Sequence, residues 1–75
     1  MFSNNIFAER LMYLRKSNNI TQLRLAEIIG VSKSTVSLME SGKRGASIES
    51  IYQLADYFDV SIDYLVGRSD DPKRY

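Results

Sequence analysis

The stretch from Thr21 to Arg44, TQLRLAEIIGVSKSTVSLMESGKR, constrains the fold of this chain most, because it holds two short amphipathic helical patterns with only a brief break between them. Leu25, Ala26 and Ile29 fall on one helical face, Gly30 and Val31 follow, and a second face carries Val36 and Met39. Residue size matters as much as spacing. Ala26 is small where two helices would cross at close range, and Gly30, without a Cβ, can take a positive φ and turn the chain sharply. Two helices joined by such a turn cross at roughly 90–120°. With Val36 and Met39 turned inward, Lys33, Ser34, Thr35, Ser37 and Leu38 occupy the outward and N-terminal faces of the second helix.

The rest of the chain continues the helical period. A first helix is expected over Ile6 to Ser17, capped by Asn4 or Asn5, with Phe7, Leu11 and Leu14 as its buried stripe and Asn18-Asn19 as its break. The second helix starts near Thr21 and stops at Gly30; the third has Ser32 as its N-cap and ends at Ser41-Gly42. Lys43 to Ala46 form a basic loop. A fourth helix after Ser47 carries Ile48, Ile51, Leu54, Ala55 and Phe58 on its core face. A short fifth, capped by Ser61, contributes Ile62, Leu65 and Val66 before Gly67. Val60 to Leu65 alternates as a strand would, but a single strand has no partner here. The expected architecture is all-α, a compact bundle of five helices over residues 1–67. The polar segment 68–75 (RSDDPKRY) reads as a frayed tail or the start of a linker.

Composition narrows the chemistry. Seventy-five residues form one small domain near the lower limit for a fold stabilised by a hydrophobic core alone, and 44% hydrophobic residues with eight aromatics suffice to build one. The chain has no Cys and no His, so disulfides, thiolate metal sites and the commonest general base are all missing; no metal, cofactor or small-molecule ligand is expected. No spacing assembles a nucleophile with its base and no Gly-rich phosphate loop occurs, which argues against an enzyme. An apolar run long enough to span a membrane is absent, and MFSNNIFAER lacks the regions of a signal peptide. A cytoplasmic location is expected, with which the lack of Cys is compatible. Net charge is only +1, yet Arg15 to Arg44 carry six basic residues against Glu27 and Glu40, whereas Gly45 to Tyr75 carry six acids against Arg68, Lys73 and Arg74. Such a split can orient a domain on a polyanion, but taken alone it reads more simply as ordinary solvated charge.

Leu11 and Arg15, Thr21-Gln22, Leu25-Ala26, Gly30-Val31-Ser32, Val36-Ser37, Glu40-Ser41-Gly42-Lys43-Arg44, Leu54-Ala55 and Val60 to Leu65 recur in order and in register. With this set, nearly the whole chain resembles the Cro/lambda-repressor-like helix-turn-helix domains, also called the xenobiotic-response-element family. The resemblance implies a transcriptional regulator, a repressor of bacterial or phage type, that binds double-stranded DNA sequence-specifically with its third helix in the major groove. Lys33, Ser34, Thr35, Ser37 and Leu38 are then the base-reading candidates. Lys33 can donate to guanine, the hydroxyls discriminate less sharply, and Leu38 meets only a thymine methyl. Gln22, Lys43 and Arg44 are the phosphate-binding candidates, against the plainer alternative of solvated side chains. The family also implies a structural ion pair between Arg15 and Glu40. Relatives often have Pro where this chain has Gly45-Ala46-Ser47.

Domains of this type act as two-fold homodimers on near-palindromic operators. Tyr52, Ile62, Tyr64 and Val66 are the dimer-contact candidates, with completion of the monomer core as the alternative. The initial Met reads as a native N-terminus; the length leaves no room for a second domain unless the chain is a fragment. A second functional reading is an antitoxin-like protein-interaction module with secondary DNA binding.

Overall fold

A computed structural model describes residues 4–74; the first three residues and Tyr75, which the expected domain and tail include, lie outside the described residues. Among the described residues there are five helices and no strand: α1 (Asn4–Ser17), α2 (Gln22–Ile29), α3 (Lys33–Glu40), α4 (Ile48–Phe58) and α5 (Ile62–Leu65). The starts of α2 to α5 use one device. Thr21, Ser32, Ser47 and Ser61 each hold extended backbone, and their side-chain oxygens accept from the N–H groups of Arg24, Thr35, Ser50 and Tyr64. Each cap satisfies one of the donors a helix N-terminus leaves orphaned.

Helix α1 is longer than its periodicity indicates. Asn4 and Asn5 lie inside its first turn rather than capping a start at Ile6, since a polar residue is tolerated there and apolar spacing does not register it. Gly30 ends α2 in the left-handed region at φ 72°, and its N–H donates to Ala26 O. Helix α4 ends the same way at Asp59, φ 55°, although no Gly marks the place. Asp is one of the few residues other than Gly that visits this conformation, though only occasionally.

The core draws on all five helices. Phe7, Leu11 and Leu14 meet Leu25, Ala26, Ile29, Val36 and Met39, and Ile51, Leu54, Ala55, Val60 and Leu65 close the other side. Helix α2 packs on α3, α3 on α1, and α5 on α4 and α1. Ile48, expected on the core stripe of α4, is instead 70% exposed. It is the first residue of the helix and sits at the rim of the stripe, so its side chain projects past the packed face.

Residues 68–74, which read from composition as a frayed tail or the start of a linker, are non-helical and hydrogen-bonded to the helices. Arg68 and Ser69 donate backbone N–H groups to Asp63 O, and Ser61 N–H donates to Pro72 O at 2.9 Å. Arg74 pairs with Asp56 at 2.7 Å and reaches Ala55 O, a carbonyl at the end of α4. From the other side Arg10 donates to Tyr64 O, Ser69 O and, at 2.7 Å, Asp70, with its guanidinium 4.3 Å from the Tyr64 ring centre. Polar composition hid this order, because the partners are helix ends and side chains distant in sequence.

Candidate nucleic-acid interface

The orientation of α3 is set from beneath by two apolar side chains and one charge. Val36 and Met39 are buried, and so is the neighbouring Glu40, whose side chain is only 1% exposed. Its carboxylate takes Arg15 bidentately, Nε to Oε2 at 2.6 Å and Nη2 to Oε1 at 3.0 Å. The third arm of the guanidinium donates to Ile20 O at 2.9 Å. The hydrogen bond to Glu40 raises Arg15 above its ordinary basicity, against the opposing effect of burial, so the guanidinium stays cationic throughout any working pH. Gln22, the first residue of α2, adds a third bond to the carboxylate, Nε2 to Oε1 at 3.1 Å. One carboxylate thus joins the end of α1, the start of α2 and the end of α3.

The opposite face of α3 is open. Lys33, Ser34, Ser37 and Leu38 are exposed, and together with Gln22 they line a shallow, solvent-open depression of about 370 Å³ between the start of α2 and the outer surface of α3. The structure therefore brings Gln22 alongside four of the five residues singled out on α3. Thr35 is the exception. It is half-buried, its hydroxyl lies 2.9 Å from that of Ser32, and its N–H is held by the same cap. Lys43 and Arg44 are exposed in the loop that leaves α3, where Lys43 N–H donates back to Leu38 O. Chemically, the depression offers one ammonium donor, two hydroxyls, one amide and one aliphatic side chain, with no carboxylate facing outward from it. That inventory suits a polyanion bearing donors and acceptors at its edges.

The residues considered for self-association divide. Tyr52 is 56% exposed on α4, whereas Ile62, Tyr64 and Val66 are half-buried and pack against the core. Ile48 and Tyr52, one turn apart, form an exposed apolar pair that sequence reasoning missed by assigning Ile48 to the core. Its position immediately after the Ser47 cap was the available signal. The participation of Gln22 in the Glu40 cluster was also missed, since spacing along the chain does not report a contact across helix ends.

Comparison with known proteins converges on one family. A helix-turn-helix family model matches residues 11–65. An uncharacterised HTH-type transcriptional regulator of Bacillus subtilis, YobD, is 37% identical over 67 residues, covering 89% of this chain and 60% of its own length. The HTH-type regulator AnsR of the same organism is 43% identical over 60 residues, covering 80% of this chain and 52% of AnsR. The chain thus spans little more than half the length of these two relatives. Among solved structures, the P22 c2 repressor in complex with a synthetic operator superposes with a TM-score of 0.79 at 28% identity, covering 85% of this chain and 97% of that one. With its α2–α3 pair, its buried anchors and this match over most of its length, the chain belongs to the helix-turn-helix family, in the Cro/lambda-repressor-like group.

Proposed function

We propose that the chain is the DNA-binding domain of a transcriptional regulator, a repressor, which reads double-stranded DNA with α3 in the major groove. The observation that carries this reading is the two-sided character of α3. Val36, Met39 and Glu40 fix one side to the body, while Lys33, Ser34, Ser37 and Leu38 line an open surface on the other. In this reading those four side chains meet base edges, and Thr35, held by the Ser32 cap, serves the backbone or the helix start. Gln22, Lys43 and Arg44 contact phosphates, positioning the domain without reading sequence. A cytoplasmic location accords with it. A two-fold homodimer on a near-palindromic operator also follows, with the Ile48–Tyr52 surface and the outer edge of α5 as its contacts, because one module alone buries little DNA.

Selection from a random duplex library by the purified chain tests the proposal. Enrichment of one motif is expected, with half-sites about one helical turn apart if two protomers bind. The Lys33→Ala, Ser37→Ala double variant should lose discrimination between that motif and random duplex. Retention of full preference would show that α3 does not read bases.

A further inference from the structure

Helix α5 is the least self-sufficient element of the fold. Its four residues make barely one turn, and a turn of that length does not hold itself together in water. Leu65 seats it in the core, but its polar ends are served by chain that follows it. Arg68 and Ser69 N–H donate to Asp63 O, and Pro72 O accepts from the N–H of Ser61, the N-cap. No residue of segment 68–74 is buried, so apolar burial contributes little to its docking. Helix α5 and this segment brace each other, and α1 holds both. Ile6 and Arg10 lie one turn apart on one face of α1. Ile6 abuts Gly67, where an added Cβ would come to 2.7 Å from Ile6 Cγ2. Arg10 donates to Tyr64 O, Ser69 O and Asp70, with its guanidinium over the Tyr64 ring. Asp70 is fully exposed, which makes that ion pair weak. The two carbonyls carry the attachment, because they accept from a guanidinium whose side chain is only 18% exposed.

We propose that Arg10 is a positioning residue for the pairing of two protomers. It holds α5 and segment 68–74 in place as one unit, so that the outer edge of α5 is presented to a second copy of the chain. The inference rests on the homodimer proposed above and adds the residue that governs it. Ile62, Tyr64 and Val66 belong to α5 or its C-cap, and Arg10 grips that turn at a carbonyl near its end and at the Tyr64 ring. Without Arg10 the unit is free to shift on α1. Helices α2 and α3 stay as they are, because their anchors are Val36, Met39 and the Arg15–Glu40 pair. Reading of DNA by one protomer and pairing of two are thereby separable.

The test uses the full chain and the motif selected from random duplex. Arg10→Met keeps an unbranched apolar stem and removes every donor. Its binding is measured on the motif and on a duplex whose second half-site is scrambled. Affinity for the single half-site should stay within about twofold of the wild type. The cooperative advantage of the second half-site should fall about tenfold, the square of a docked fraction near one third in each protomer. Amide exchange at Leu65 and Val66, bonded to Ser61 O and Ile62 O, should quicken while the amides of α2 and α3 keep their protection. Arg10→Lys retains the charge without the fork, so it should show the same pattern in smaller measure, and it carries the test if Arg10→Met fails to fold. Equal losses on both duplexes would make Arg10 a general support of the fold and overturn its positioning role. Unchanged exchange at α5 would overturn it too, as would quicker exchange with cooperativity intact. Wild-type binding without cooperativity between half-sites would overturn the homodimer and this inference together, whereas failure in the variants alone leaves the homodimer standing.

Discussion

Replacing Glu40 by Ala removes the carboxylate on which three elements converge, and the structure gives the size of the effect. The lost group accepts two hydrogen bonds from Arg15 and one from Gln22, in a place where the Glu40 side chain is 1% and the Arg15 side chain 13% exposed. What remains is a guanidinium shielded from water with Ile20 O as its one surviving partner. Breaking such a pair from one side costs about 3–5 kcal/mol, because the stranded charge stays desolvated. A domain of this length is expected to have roughly 4–11 kcal/mol of stability in all. Glu40→Ala should therefore consume a large share of it and lower the urea midpoint by about 3–5 M, taking a slope near 1 kcal/mol per M for so small a protein. The double variant Arg15→Met, Glu40→Leu should recover most of the loss, since the cost lies in the unpaired charge rather than in the missing attraction. Hydrogen bonding to Glu40 shifts Arg15 upward from an already strongly basic value, so loss of the guanidinium's own charge weakens the fold only in strong alkali. A Glu40→Ala loss below about 1 kcal/mol would place the pair among ordinary surface ion pairs. A double variant as unstable as the single one would refute the stranded-charge account.

Lys43→Ala or Arg44→Ala should weaken binding to all duplexes alike and reduce the slope of log K against log salt by about 0.9 per lost phosphate contact; a loss confined to one sequence would contradict the phosphate role. Gly67→Ala should cost more than Gly30→Ala in chemical denaturation. Both positions have positive φ, but an added Cβ meets nothing within 4 Å at Gly30 and comes to 2.7 Å from Ile6 Cγ2 at Gly67, so Ile6→Ala should relieve part of the Gly67 defect and none of the other. Arg74→Ala should leave global stability almost unchanged, because the side chain and its acidic partners are solvent-exposed. It should nevertheless speed hydrogen exchange at the Ser61 amide, whose acceptor is Pro72 O; unchanged protection would mean that the C-terminal segment is held by its other contacts alone.

The parts of the fold that can be read from sequence are those encoded by neighbours. A Ser or Thr before an apolar period marks a helix start because its own oxygen serves an N–H three residues on, and this gives the starts of α2 to α5. Gly30 is legible for the same reason. Asp59 is not, because Asp adopts the left-handed conformation only when the surrounding chain requires it, and nothing in its local sequence says so. Ile48 failed because periodicity assigns a residue to a stripe without saying where the stripe runs out of neighbours. The docked C-terminal segment failed because its anchor, Arg10, lies about sixty residues earlier in the chain.

At the candidate interface, the outer face of α3 could be found by subtraction, as the residues that Val36 and Met39 leave over. The shared carboxylate beneath it could not, and it changes how Gln22 is to be tested. One amide N–H of Gln22 points inward to Glu40, leaving its second N–H and its carbonyl for the depression in front of α3. Changes at Glu40 therefore disturb the fold and the proposed contact together. Changes at Gln22 separate them, since Gln22→Ala leaves both Arg15 bonds to the carboxylate in place. It should cost stability about as much as one hydrogen bond, ~0.5–1.5 kcal/mol, while lowering affinity for specific and random duplexes by the same factor. A stability loss approaching that of Glu40→Ala, with affinity unchanged, would make Gln22 part of the scaffold and remove it from the DNA surface.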